Sequence, residues 1–154
     1  MAVAYLIYGF VGSGKTTLAL SLEQKGAVRL SIDDWTIAAT GDDVHLEPAV
    51  FDRYWRLLMK LWPAIVARGV DVALDFGFWT RAQRDEVRAF AASVGAEARL
   101  VWVRCPERVA RQRCAQRTHE RGGGYLIDDA AFDWLKQKFQ PLDPDEVYTI
   151  VTTG

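Results

Sequence analysis

The 154-residue chain contains few of the residues that build metal centres or disulfide scaffolds, with two cysteines and two histidines. The spacing of Cys105 and Cys114 matches no metal-binding motif. Free cysteines are among the residues most often buried, so we expect both to be reduced thiols close to the core. A chain of this kind fits a reducing compartment, and we expect a cytoplasmic location.

The chain also lacks an excess of charge of one sign and any long apolar run. It has 19 basic and 20 acidic residues and a net charge of -1, so no overall field attracts it to nucleic acid or an anionic membrane. No segment approaches the roughly 18 apolar residues of a membrane helix, so we expect no membrane partner. The apolar start at Ala2–Tyr8 has no basic leader and is not expected to be a signal peptide.

Apolar strand patterns alternate with helix patterns throughout the sequence. The strands are predicted at Val3–Tyr8, Val28–Ile32, Val70–Leu74, Ala98–Val103 and Val147–Thr152. The helices are predicted at Lys15–Lys25, Ala49–Arg68 with a kink or split at Pro63, Arg81–Val94, Pro106–Arg117 and Asp128–Gln140. This alternation predicts a single α/β domain over 1–154, with a five-stranded parallel sheet and helices on both faces.

The first predicted strand runs directly into a phosphate-binding loop. Gly9-Phe10-Val11-Gly12-Ser13-Gly14-Lys15-Thr16 fits the P-loop pattern of Gly, four residues and Gly-Lys-Ser/Thr. Glycines let successive backbone N–H groups point at phosphate oxygens, and the following helix contributes its positive end. The pattern predicts a three-layer P-loop fold in which the nucleotide is bound by Gly9, Gly12, Ser13, Gly14, Lys15, Thr16 and Thr17. Lys15 would reach the β and γ phosphates, and the Thr16 hydroxyl would hold Mg²⁺.

Other parts of the sequence narrow the class of P-loop protein. Asp75 is followed by Phe76-Gly77-Phe78, so the Asp-x-x-Gly spacing of GTPases is absent. The sequence also has no Asn-Lys-x-Asp for guanine and no Leu-Ser-Gly-Gly transporter signature. A small kinase, which transfers a phosphoryl group to a bound acceptor, is the class that remains. An ATP-binding sensor without an acceptor of its own is the alternative from another class.

Carboxylates follow two of the predicted strands. Asp33 and Asp34 come after the second strand, where a carboxylate can accept the proton of an attacking hydroxyl. Aspartate is also a favoured helix N-cap, so the residues alone do not say which of the two is the base. Asp75 follows the third strand, a position suited to supporting Mg²⁺ together with Thr16.

A dense run of arginines follows the fourth strand. Arg113 and Arg117 are four residues apart and therefore share one face of the predicted helix. Such a face can stabilise the charge on a transferring phosphoryl group, so both are candidate catalytic residues. Arg121–Gly124 has the composition of a hinge, which predicts a lid near 113–125.

With these motifs assembled, the sequence resembles the small P-loop kinases grouped with polynucleotide 5′-kinase, zeta toxin and chloramphenicol phosphotransferase. The residues that carry the resemblance are Gly9–Thr17, Ser31-Ile32-Asp33-Asp34-Trp35, Asp75 and the pair Arg113 and Arg117. The resemblance implies that Asp33 is the general base, that Arg113 and Arg117 belong to the lid, and that Phe139–Pro144 passes near the adenine.

One position departs from the polynucleotide kinase pattern. Thr36 stands where that pattern has an arginine that helps to hold the acceptor phosphate. We therefore expect a small-molecule hydroxyl as the acceptor, with a nucleotide or polynucleotide 5′-hydroxyl as the alternative. The expected cofactors are Mg²⁺ and ATP, with GTP as the alternative donor. The sequence identifies neither the acceptor nor the oligomeric state.

Overall fold

The computed structural model describes residues 1–40, 48–120 and 127–154. The strands are β1 (Val3–Tyr8), β2 (Val28–Ser31), β3 (Val72–Gly77), β4 (Glu97–Arg104) and β5 (Thr149–Thr152). The helices are α1 (Lys15–Gln24), α2 (Ile32–Thr40), α3 (Pro48–Val66), α4 (Arg81–Ser93), α5 (Glu107–Glu120) and α6 (Asp129–Lys136). Within the described ranges, no helix is both long and apolar enough to cross a membrane.

All five strands pair in parallel, in the order β2-β3-β1-β4-β5. Strands β2 and β3 lie on one side of β1, and β4 and β5 lie on the other, so the strand order reverses at β1. Ligands bind at the carboxyl ends of the strands at such a reversal. The loop that follows β1 lies at this point.

Side-chain alternation along the central strand separates two apolar layers. Leu6 of β1 packs in the larger cluster, which receives Trp62 from α3 and Val87 from α4. Ile7 points to the opposite face, where Ala19 of α1 covers it. The sheet is therefore covered by helices on both faces, and the predicted fold class is confirmed.

Several predicted element boundaries were wrong. The third strand begins at Val72 and continues through Asp75 to Gly77. Just before it, the Asp71 carboxylate accepts a 2.8 Å hydrogen bond from the Val3 N–H. Of the kink or split predicted at Pro63, the split does not occur, since α3 runs through this residue. The helix predicted at Asp128–Gln140 ends at Lys136, and the last strand begins at Thr149. Asp128 is its N-cap, and its carboxylate accepts a 2.8 Å hydrogen bond from the Ala131 N–H.

Candidate active site

The phosphate loop has backbone angles that favour glycine at two positions. Gly12 has φ 74° and Gly14 has φ 104°, both in the left-handed region that favours glycine. A Cβ atom on Gly12 would lie 2.5 Å from the carbonyl oxygen of Ala110, so the loop packs closely on α5. Gly14 caps α1 without a side-chain hydrogen bond. The first N–H groups of this helix are therefore available to an anion.

Lys15 brings the expected site residues into one electrostatic environment. Its Nζ donates a 2.8 Å hydrogen bond to the carbonyl oxygen of Phe10, which holds the side chain over the loop. Burial lowers the pKa of Lys15, while the carboxylates of Asp75 and Asp33 raise it and the Arg117 guanidinium lowers it. Charges from β3, α2 and α5 thus act on the same ammonium group.

The acidic pair lies in the first turn of α2. The side chain of Ser31 accepts a 3.2 Å hydrogen bond from the Asp34 N–H, the contact of an N-cap. Ser31 therefore performs the capping role that the sequence left open for one of the aspartates. Both Asp33 and Asp34 are exposed.

Arg29 joins the two acidic segments, and sequence reasoning missed it. Its Nε and Nη2 donate to Asp75 Oδ2 at 3.0 and 2.8 Å, and its Nη1 donates to Asp34 Oδ2 at 2.6 Å. Burial lowers the pKa of Arg29, but the hydrogen bonds to Asp75 and Asp34 outweigh it and raise that pKa. A charged residue inside an otherwise apolar strand needs a buried partner, which is the signal that could have identified it.

The two candidate arginines of α5 occupy different environments. Arg113 Nη1 donates to the carbonyl oxygen of Gly12 at 3.1 Å and to Thr153 Oγ1 at 2.9 Å. It therefore supports the loop backbone and the end of the chain. Arg117 is exposed, and its charge reaches Lys15. The predicted hinge at Arg121–Gly124 lies outside the described residues.

Aromatic rings line the other side of the phosphate loop. Phe139 stacks on Tyr8 at 4.8 Å and lies 5.2 Å from Phe10, measured between ring centroids. Trp79 Nε1 donates a 3.0 Å hydrogen bond to the carbonyl oxygen of Gly9. A cavity of about 170 Å³ beside these rings is lined in part by Phe10, Phe132 and Ser13. In the described part of the chain, the buried Ser13 hydroxyl has no hydrogen-bond partner.

The oxygen donors around the loop suit Mg²⁺. Thr16 is exposed at the start of α1, and Asp75 is buried at the end of β3. No cluster of three or more His, Cys, Asp or Glu side chains among the described residues could hold a metal alone. Mg²⁺ usually keeps several waters and takes further ligands from substrate phosphates, which is consistent with so few protein donors.

The two thiols lie against the same loop glycine. Cys105 Sγ is 3.8 Å from the carbonyl oxygen of Gly12, and a Cβ on that glycine would lie 3.1 Å from Cys114 Sγ. Both cysteines are free, and burial raises the pKa of Cys114. The predicted position close to the core is confirmed, since Cys114 lies in an apolar cluster and Cys105 packs against it.

A phosphate loop after the central strand of a five-stranded parallel sheet defines the P-loop kinase-like fold. The chain belongs to an AAA domain family, whose model matches residues 5–142. No curated protein matches it significantly in sequence.

Solved structures share this fold at low sequence identity. A sugar kinase from Janibacter sp. HTCC2649 is 18% identical with a TM-score of 0.66, over 99% of this chain and 86% of that one. The Mycobacterium tuberculosis APS kinase CysC, in complex with AMPPNP and APS, is 16% identical with a TM-score of 0.64, over 98% and 88%. A chain of the Pnkp1/Rnl/Hen1 RNA repair complex is 20% identical with a TM-score of 0.70, over 92% of this chain and 48% of that one.

Proposed function

We propose that this protein is an ATP- and Mg²⁺-dependent kinase that transfers the γ-phosphoryl group to a hydroxyl of a small molecule. The observation that carries the proposal is the environment of Lys15. The charges of Asp33, Asp75 and Arg117 all act on the pKa of its ammonium group. Nucleotide binding alone requires the loop but not this combination. Phosphoryl transfer requires a base, support for a metal and a cation for the developing charge.

The phosphate loop has the nucleotide-binding role in this proposal. Its N–H groups and Lys15 bind the β and γ phosphates of ATP, or of GTP as the alternative donor. Thr16 and Asp75 hold Mg²⁺, directly or through water. When bound, Mg²⁺ would neutralise charge on the phosphate oxygens and orient them for in-line transfer.

Asp33 is the proposed general base. The resemblance implies the first aspartate of the pair, and Asp34 forms an ion pair with Arg29 at 2.6 Å. Asp33 is exposed and contributes to the field at Lys15. Its carboxylate would orient the hydroxyl and accept its proton as the bond to phosphorus forms.

The two candidate arginines of α5 have different roles in this proposal. Arg117 is exposed, and we assign it to the charge that develops on the transferring group. Arg113 supports the loop through Gly12 and would act on the phosphates from that position. A lid near 113–125 remains part of the proposal.

The small-molecule acceptor is favoured by the structure around Thr36. This side chain is buried and donates a 2.8 Å hydrogen bond to the carbonyl oxygen of Ile32. The position therefore offers no charge to an acceptor phosphate. The sugar kinase and the APS kinase have the same fold, which is consistent with a small acceptor.

The second candidate is transfer to the 5′-hydroxyl of a nucleotide or polynucleotide. The likeness to a chain of the RNA repair complex favours it, since its TM-score of 0.70 is at least as high as those of the two kinases described above. The net charge of -1 and the buried Thr36 count against a long polyanion.

The acceptor can be found by measuring ADP release with ATP and Mg²⁺ in the presence of sugars, nucleosides, antibiotics and 5′-hydroxyl oligonucleotides. Asp33→Asn protein serves as the blank for contaminating ATPase. Stimulation by a small hydroxyl compound supports the proposal, and stimulation by oligonucleotides alone favours the second candidate. Tight ATP binding without stimulation by any compound would indicate the sensor instead.

A further inference from the structure

Arg29 is a half-buried cation that contacts two carboxylates with different surroundings. Its side chain is 12% exposed, that of Asp75 is 5% exposed and that of Asp34 is 57% exposed. Both bonds to Asp75 fall on the same oxygen, Oδ2. The remaining nitrogen, Nη1, donates to Asp34. One guanidinium group thus connects the end of β3 with the first turn of α2.

The register of β2 against β3 places Arg29 on the same face of the sheet as Asp75. Ser31 pairs with Asp75 and Arg29 pairs with Ala73 across the β2–β3 ladder. Alternate residues of a strand share a face, so the side chains of Arg29 and Asp75 project on the same side of the sheet. Ala73 on this face packs with Ala19 of α1, the helix that begins at the phosphate loop.

Stability alone is a weak explanation for such an arrangement. Replacing a buried ion pair with apolar residues is often neutral or stabilising, because desolvation offsets the attraction. The planar guanidinium instead provides fixed geometry, since its donors are held in one rigid fork. That geometry is what a carboxylate needs if one of its oxygens must face a metal.

We propose that Arg29 is a positioning residue for the metal. By binding Oδ2 of Asp75, it leaves Oδ1 as the oxygen that would face Mg²⁺ or its water. This inference rests on the proposed function and assigns a role to a residue outside the loop and lid motifs.

This role can be tested without an acceptor. Mn²⁺ replaces Mg²⁺, AMPPNP replaces ATP, and electron paramagnetic resonance measures the Mn²⁺ bound in the ternary complex. Groups that orient metal ligands typically contribute about 10- to 100-fold in metal affinity or activity. We expect Arg29→Ala to weaken Mn²⁺ binding by roughly tenfold or more, with partial recovery in Arg29→Lys.

Matched variants distinguish a loss of metal positioning from misfolding and from the loss of a positive charge anywhere in the protein. Asp34→Asn keeps the bonds from Arg29 to Asp75, so its Mn²⁺ affinity should match that of the wild type. Arg99→Ala removes an arginine that pairs with Glu97 on β4, and should leave both affinity and activity unchanged. Thermal unfolding of each variant identifies misfolding. If Arg29→Ala does not fold, the comparison of Arg29→Lys with Asp34→Asn decides the question.

The outcomes distinguish this inference from the proposed function. A wild-type protein that binds no Mn²⁺–AMPPNP would contradict the proposed function. A wild-type protein that binds it, with unchanged or tighter Mn²⁺ binding in Arg29→Ala and Arg29→Lys, would overturn the role of Arg29 alone. Once an acceptor is known, Arg29→Ala should lower kcat at saturating acceptor, whereas a purely structural role would lower only the unfolding temperature.

Discussion

The Arg113 guanidinium donates a 3.1 Å hydrogen bond to the carbonyl oxygen of Gly12 and so joins α5 to the phosphate loop. The same nitrogen donates to Thr153 Oγ1, which in turn donates to the carbonyl oxygen of Ser13 at 2.6 Å. Two consecutive loop carbonyls are therefore fixed from outside the loop. We therefore expect Arg113 to affect nucleotide binding as well as transfer.

Arg113→Ala should weaken nucleotide binding before any chemical step. The loss of a charged donor to the loop backbone should lower the free energy of unfolding by about 1.5–3 kcal/mol. Calorimetric titration with AMPPNP and urea denaturation would measure the two effects. AMPPNP affinity equal to that of the wild type would contradict this role.

Arg117→Ala should behave differently, because Arg117 is exposed. We expect AMPPNP affinity close to that of the wild type and a rate of transfer lower by roughly 10³-fold, as for an arginine finger. Single-turnover transfer to the identified acceptor is the measurement. Arg108→Ala, at an exposed position earlier in α5, is the matched control and should retain its rate.

Asp33→Asn should retain ATP binding and lose transfer, because the amide cannot accept the proton of the acceptor. General-base assistance typically contributes about 10²–10⁴-fold, which sets the expected loss in kcat. Asp34→Asn should lose much less. Equal losses in the two variants would mean that the pair acts jointly, and full activity in Asp33→Asn would remove it from the mechanism.

Gly12→Ala tests the packing of the loop against α5. The new Cβ would lie 2.5 Å from the carbonyl oxygen of Ala110, at a φ of 74°. Gly95→Ala is the control, since Gly95 has φ 69° and no atom within 4 Å of its Cβ position. The control should lose about 1 kcal/mol of stability, whereas Gly12→Ala should lose more and also bind AMPPNP poorly. Similar losses in both variants would argue against close packing.

Glu146 should make the free energy of unfolding depend on pH in the acid range. Burial alone would raise the pKa of Glu146. Hydrogen bonds from Arg84, the Asp143 N–H and Arg88 together lower it by more, so the pKa is about 2. The folded state therefore binds this proton less readily than the unfolded state, whose pKa is near the ordinary value of 4.5. Its stabilising contribution is complete above that ordinary value and is lost as the pH falls toward 2.

Glu146→Gln should be less stable at neutral pH by about 3–5 kcal/mol, because Arg84 is left buried without its anion. Its stability should then fall less steeply in acid than that of the wild type. Urea denaturation across the acid range would measure this, with the exposed Asp52→Asn as the control. Parallel acid profiles for Glu146→Gln and the wild type would contradict the assignment.

The fold could be predicted from sequence because its signals are local. Val3–Tyr8 is apolar and ends at the glycine loop, and the later strands follow the same pattern. Boundaries were less accurate where a tertiary contact decides them. The third strand continues through Asp75 to Gly77 because it pairs there with β1 and β2, and no local pattern predicts contacts so distant in sequence.

The site was predictable only in part, for the same reason. The loop and the strand-end aspartates have characteristic residue types, so they could be proposed as functional. Arg29 gives one local signal, a charge inside an apolar strand, but its partners follow only from the pairing of β2 with β3. The contact of Arg113 with Gly12 likewise requires that α5 pack on the loop.

Trp79 gives the protein an optical property that follows from one contact. Its indole N–H is bonded to the carbonyl oxygen of Gly9, and its ring lies 5.3 Å from that of Phe10. Indole emission responds to changes in hydrogen bonding and to nearby charge. Arrival of a triphosphate in the loop should therefore alter the fluorescence of the unlabelled chain, and Trp79→Phe should reduce that response.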